Sequence, residues 1–188
     1  MDILTASFDG VHLFQLSSKG RPVTKTLIGA GKQDAGRPNI GASEVDLGTL
    51  DDGSRFVATV EPWHGNQVAI YTEPPGDEDS SDEAGDSGNP WPRRVIDEGF
   101  ANGHGLLVAD LNNDGRDEII VGGRSEPYQL AIYHYQGENR GWQRVDLDDG
   151  NVAVSGLAIE DLNGDGFADI VAIGAGTRNV VYYQNEGR

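Results

Sequence analysis

"ADLNNDGRDEII" at Ala109–Ile120 and "EDLNGDGFADIV" at Glu160–Val171 decide the fold of this chain. They lie 51 residues apart, and each sets an Asn/Asp/Gly turn between two apolar runs. The match continues at the same spacing, with "WPRRVIDEG" at Trp91–Gly99 returning as "WQRVDLDDG" at Trp142–Gly150. A third copy lies upstream at an offset of 62, where "QVAIY" at Gln67–Tyr71 answers "QLAIY" at Gln129–Tyr133. Asp52–Gly53 likewise answers Asp114–Gly115. A fixed period near 50 residues signals a repeat architecture, with propeller blades among the candidates.

Each unit has the same grammar. "GLLVADL" meets the turn, "DEIIVGG" follows, then "QLAIYHY", then a run opening on Trp, "WQRVDL". Four β-branched or aromatic runs with turn chemistry between them read as four strands. No segment keeps a helical period. A four-stranded antiparallel unit is the blade of a β-propeller. The chain opens on "DILTASF", which reads as a second strand, and closes on a third, "NVVYYQNEGR". The expectation is therefore an all-β, single-domain partial propeller over residues 1–188, with about 14 strands or three and a half blades. Such an arc leaves edge strands unpaired. Self-association, or a partner chain completing the ring, is the expected consequence, and a truncated piece of a longer propeller is an alternative reading.

Composition narrows function. Acids outnumber bases 31 to 14, giving a formal charge of −17. That excludes a phosphate-backbone binder and argues against anionic membranes. No apolar run is long enough to insert in a membrane. With no cysteine, disulfides and thiolate metal sites are excluded. "PPGDEDSSDEAGDSGNP", Pro74 to Pro90, has no base and no large aliphatic residue, and reads as a disordered acidic loop. It accounts for the longer upstream offset. No signal peptide is visible, since Asp2 stands where a basic region would be.

The turns carry the clearest chemistry. Asp110, Asn112 and Asp114 occupy positions 1, 3 and 5, Gly115 is at 6, Arg116 at 7 and Glu118 at 9. Asp161, Asn163, Asp165, Gly166, Phe167 and Asp169 repeat the pattern. Oxygens at alternate positions can wrap one hard cation, the glycine permits the sharp turn, and the position-7 carbonyl adds a ligand. Two copies in register point to two Ca²⁺ sites rather than to solvated Asx turns. In the upstream copy, positions 1, 3 and 9 become Gly48, Leu50 and Phe56, so that loop is expected to bind none.

These repeats resemble the FG-GAP/VCBS repeats of seven-bladed propellers, such as integrin α-chain heads and many bacterial extracellular proteins. The resemblance covers nearly the whole chain and implies calcium in the loop joining a blade's first two strands. It also suggests an extracellular or periplasmic setting.

A second residue set is not required by a plain blade. "GASEV" at Gly41–Val45, "EPWHGNQV" at Glu61–Val68 and "NGHGLL" at Asn102–Leu107 hold Glu44, Glu61, Trp63, His64 and His104. If the entrances to the innermost strands share a rim with the His64 loop, His64, His104 and Glu44 converge. Two imidazoles and a carboxylate suit a transition metal or a general base. Trp63, unrepeated and next to His64, is the candidate ligand-binding aromatic. Trp91 and Trp142 recur and read as blade packing. Tyr71, Tyr133, Tyr182 and Tyr183 are further rings able to stack on sugars. His12 and His134 lie inside strands and read as ordinary surface or packing residues.

"ILTASFDGVHLF", "GASEV" and "EPWHGNQV" are also similar to bacterial proteins related to the propeller part of aldos-2-ulose dehydratase. That resemblance implies a second divalent metal, Zn²⁺ or Mg²⁺, on the His pair, polarising a sugar carbonyl while Glu44 or Glu61 takes a proton. Two functions follow as expectations. One is a calcium-binding binding or scaffold module; the other is a metal-assisted carbohydrate dehydratase centred on His64 and His104.

Overall fold

The computed structural model describes residues 2–75 and 90–187. Most of the acidic loop read at 74–90 therefore lies outside the described residues. Fourteen strands and no helix are found among the described residues. They form four antiparallel sheets in chain order. The first sheet contains β1 (Asp2–Ser7), β2 (Gly10–Leu16) and β3 (Pro22–Gly29). The second contains β4 (Val45–Thr49), β5 (Arg55–Glu61), β6 (Gln67–Thr72) and β7 (Arg93–Asp97). The third runs β8 (Gly103–Ala109), β9 (Glu118–Gly123), β10 (Gln129–Tyr135) and β11 (Trp142–Asp149). The fourth holds β12 (Val154–Glu160), β13 (Asp169–Gly174) and β14 (Asn179–Tyr183). The chain is a partial β-propeller without closure, as the repeat count predicts. Among the described residues the first and fourth sheets have three strands and the second and third have four.

Period-2 alternation explains how the sheets stack. Ile119 and Val121 on β9 enter one core with Phe56, Val60, Val68 and Ile70 of the second sheet. Ile120, between them, enters the next core with Val154, Ile170 and Ala172 of the fourth. A third core joins Val11 and Ile28 to Val57 and Tyr71. β9 is covered on both faces and buried throughout, and past Glu118 it is apolar or glycine at every position. Burial of each Ile or Val contributes about 1.5–3 kcal/mol. Trp142 lies edge-on to Phe56 at 5.1 Å and Trp91 packs on the third core, so both recurrent tryptophans are blade packing.

A repeated tyrosine also pins each sheet to the one before. Tyr133 donates its hydroxyl to Asp97 at 2.7 Å, and Tyr183 donates to Asp148, 51 residues beyond Asp97. Tyr71 is equally buried and donates to Glu61 while accepting the Gly31 N–H. The expectation that these rings stack on sugars is corrected for Tyr71 and Tyr133, both at most 1% exposed.

Antiparallel strands put the turns at two ends. The loops joining first and second strands lie at one end. The starts of β4, β8 and β12 lie at the other, with the β5–β6 and β9–β10 loops. The seven residues of β8 separate the two ends by roughly 23 Å.

Candidate functional site

The β5–β6 loop, residues 62–66, is fastened on both sides. Gly103 N–H donates to the Gly65 carbonyl at 2.9 Å and Phe100 N–H to that of Asn66 at 3.1 Å. On the other side Trp63 N–H reaches the Ile40 carbonyl at 3.3 Å. Gly65 is required because a Cβ there would lie 2.3 Å from the Glu61 carbonyl oxygen. His64 has φ 47° and Asn102 φ 53°. The left-handed region costs a non-glycine residue roughly 1–2 kcal/mol, so neighbouring contacts must impose it.

This loop brings the two sequence-distant histidines together. The His64 and His104 ring centroids are 4.5 Å apart at 35°. His104 is the second residue of β8 rather than a residue preceding the strand. Among the described residues its Nδ1 is buried without a hydrogen-bond partner. Trp63 stacks on His64 at 4.8 Å, Phe8 lies 4.8 Å from Trp63, and the Arg37 guanidinium sits 5.1 Å from the Phe8 centroid. Three sheets thus contribute to one run of rings. Burial, helped by the charges of His104 and Arg124, holds the His64 imidazole below its ordinary pKa. Burial raises the Glu44 carboxyl, and the neighbouring His104 offsets part of that rise. His64, His104 and Glu44 therefore share one rim. A neutral imidazole is the form that ligates a metal or accepts a proton.

Two candidates have other duties. Glu61 is fully buried. Its Oε1 accepts the Tyr71 hydroxyl at 2.5 Å and the Thr59 hydroxyl at 3.0 Å. Its Oε2 accepts Arg93 Nη2 at 2.5 Å and Nε at 2.9 Å. With both oxygens engaged, Glu61 is a structural anchor. Trp63 already has two rings at stacking distance, so its evident task is to hold His64. Phe8, Arg37 and Arg124 were not singled out in the sequence. Only their place in turns at the same end of the strands could have marked them. A shallow depression lined by Glu126, Pro127, Tyr128, Asp149 and Gly150 lies at this end as well.

The acidic loops occupy the opposite end and fold alike. In the β8–β9 loop, Asp110 Oδ1 accepts the Asp114 N–H at 3.1 Å and Oδ2 the Gly115 N–H at 2.9 Å. In the β12–β13 loop, Asp161 accepts the Asp165 and Gly166 N–H groups at 3.2 and 2.9 Å. Asn112 and Asn163 each accept the N–H two residues on, at 2.8 Å. Asp114 and Asp165 do the same for Arg116 and Phe167 at 2.9 Å. Gly115 and Gly166 supply the positive φ, 84° and 90°. The position-9 acids sit behind the loops: Glu118 accepts the Leu111 N–H at 2.9 Å and Asp169 the Leu162 N–H at 3.1 Å. Among the described residues no three His, Asp or Glu side chains are gathered as a metal cage. The carboxylates of Asp110, Asp114, Asp161 and Asp165 are turned onto their own loop N–H groups.

The loops also touch one another. Asn113 Nδ2 donates to the Gly166 carbonyl at 3.0 Å, and Asp117 Oδ2 accepts the Thr49 N–H at 2.7 Å. The degenerate upstream loop closes as a simple Asx turn, Ser54 N–H on Asp52 at 2.8 Å. His134, within β10, places Nδ1 3.3 Å from Glu118 Oε1, and His12 lies in β2.

Residues 110–172 match the FG-GAP-like repeat family, and residues 1–74 match the β-propeller domain of aldos-2-ulose dehydratase. The chain is 33% identical to aldos-2-ulose dehydratase of Phanerodontia chrysosporium over 128 residues, 63% of this chain and 13% of that protein. It is 37% identical over 84 residues to integrin alpha-7 of Mus musculus, 39% of the chain and 7% of the integrin. Integrin alpha-6 of Gallus gallus is 36% identical over 91 residues, 42% of the chain and 8% of the integrin. The chain thus corresponds to a small part of each relative. Both resemblances read from the sequence are borne out.

Proposed function

We propose that this chain is a calcium-stabilised propeller module, with one Ca²⁺ in each of the β8–β9 and β12–β13 loops and a binding rim at the other end. The observation that carries this reading is the matched fold of two loops 51 residues apart, each wrapped around its first aspartate. The donor set fits a hard cation. Asp110, Asn112, Asp114 and the Arg116 carbonyl, with Glu118 behind, supply only oxygen, as do Asp161, Asn163, Asp165, Phe167 and Asp169. An ionised carboxylate offers about four lone-pair sites, so bonds to loop N–H groups leave room for metal. Binding would stabilise the fold by about 2.7 kcal/mol at 100 times Kd. Calorimetric titration should give two Ca²⁺ per chain, and Asp165→Ala should leave one. A melting curve unmoved by excess chelator overturns the reading.

A second reading is favoured by one observation, the 4.5 Å approach of His64 to His104 with Glu44 beside them. It is a carbohydrate dehydratase of the kind named among the relatives. The unpartnered His104 Nδ1 and a neutral His64 fit a borderline divalent metal such as Zn²⁺. Such a metal would polarise a sugar carbonyl, and Glu44 is the base at hand. Zinc binding should weaken as pH falls and the His64 imidazole, held below its ordinary pKa, takes a proton. The double change His64→Ala, His104→Ala should abolish zinc binding and any sugar dehydration and leave calcium-dependent melting intact. Retention of zinc affinity by that variant would overturn this reading alone.

A further inference from the structure

We propose that the β8–β9 and β12–β13 loops take up calcium as a coupled pair, with Asn113 and Asn185 as the positioning residues that join them. This rests on the reading of one Ca²⁺ in each loop. Neither asparagine belongs to the donor set of that reading.

Asn113 reaches forward from the first loop. It stands between two donors, Asn112 and Asp114, with φ 59°. Its Nδ2 donates to the Gly166 carbonyl of the second loop at 3.0 Å. That carbonyl shares a peptide group with the Phe167 N–H, which donates to Asp165 at 2.9 Å. One peptide of the second loop is thus gripped both by its own donor aspartate and by the first loop. Asn185, just beyond β14, clasps both loops. Its Nδ2 donates to the Leu111 carbonyl, between donors Asp110 and Asn112, at 2.7 Å. The same Nδ2 lies 3.2 Å from the Ala168 carbonyl, and the Asn185 backbone N–H donates to Asp169 Oδ1 at 2.8 Å.

A loop that wraps a cation gives up conformational freedom, and a loop already fixed by its neighbour has less to give up. Filling one loop fixes groups that the other loop grips. The second ion should therefore bind more tightly than the first, and linkage makes the effect equal in both directions. Charge acts the other way, since a cation in one loop weakens the negative field on the other. The sign of the coupling separates contact from charge, and 1 M salt, with a Debye length of about 3 Å, removes most of the charge contribution. Thr49 supplies a control. Its N–H and Oγ1 donate to Asp117 at 2.7 and 3.0 Å, bracing the first loop from the side where the neighbouring loop has lost its donors.

Calorimetric titration of Ca²⁺ into the full chain in 1 M sodium chloride tests this. Wild type should take two ions, the second about 5-fold or more tighter than two independent sites allow. Asn113→Gly keeps the positive φ and removes the amide, and Asn185→Ala removes the clasp; neither changes charge. Each variant should still take two ions, with the coupling reduced, and circular dichroism checks that it folds. Asn113 is exposed, so its variant carries the test even where Asn185→Ala unfolds. Thr49→Val should keep the coupling. A wild type that binds two ions independently overturns the proposal and leaves the two-calcium reading standing, whereas one that binds none overturns both. Coupling that survives both asparagine changes together, or that Thr49→Val also abolishes, overturns the assignment to these two residues.

Discussion

Arg93 is the ion-pair partner of Glu61, whose side chain is fully buried. A buried ion pair is neutral in balance at best, but removing one partner strands the other and costs about 3–5 kcal/mol. Arg93→Met should therefore lower the urea midpoint sharply, and Glu61→Gln, which keeps an acceptor for Tyr71, should lower it less. Equal losses would mean that the pair is held by shape alone. The tyrosine pins are a milder case. Tyr133→Phe removes one hydroxyl, but Asp97 keeps Arg144 at 2.9 Å, so the cost should be about 1–2 kcal/mol. His64 sets a pH dependence. Its folded pKa lies below the ordinary 6.5, so as pH falls below 6.5 the unfolded chain takes the proton first. Stability from this group is complete above 6.5 and is lost as pH falls toward the folded value. The melting temperature of His64→Gln should approach or pass that of wild type in this window. A difference between the two that does not change with pH would show that His64 does not titrate there.

At the scale of elements, spacing was legible and lateral contact was not. The repeats displayed the strands, their number and the turns, because each strand's alternation is local. The approach of His64 to His104 was readable too, since both lie at the same end of antiparallel strands in consecutive units. What escaped was any role set by a neighbouring sheet. "QVAIY" and "QLAIY" show the recurrent tyrosine but not that Asp97 and Asp148 lie beneath it. Glu61 resembled a site acid because its partner Arg93 lies beyond the acidic loop. Gly122 makes the same point. A Cβ there would fall 2.4 Å from a methyl of Val154, so the third and fourth sheets approach through a glycine. Ile173 stands at the equivalent position of the fourth sheet, where it is 51% exposed. Gly122→Ala should overpack this joint and cost about 1–3 kcal/mol, measured by denaturant unfolding. Gly156→Ala, whose Cβ would meet Ile173 at an ordinary 3.7 Å, should cost far less.

For the whole molecule, charge opposes what the apolar faces favour. A chain of −17 repels itself, and compaction draws its 31 acids closer together. The acidic loops add local repulsion, with Asp110, Asp114 and Glu118 on one and Asp161, Asp165 and Asp169 on the other. Two agents relieve it by different routes. Calcium would neutralise the loops at fixed points, and salt screens every exposed pair, with a Debye length falling from about 30 Å at 0.01 M to about 3 Å at 1 M. Burial of Ile120, Leu130 and the other core aliphatics does not weaken with screening. Raising sodium chloride over that range in chelator should therefore raise the melting temperature steadily. With calcium saturating, the rise should be smaller, because the closest charges are already compensated. Comparing the two salt slopes separates loop repulsion from the diffuse surface charge. Identical slopes with and without calcium would place the destabilising charge outside the two loops.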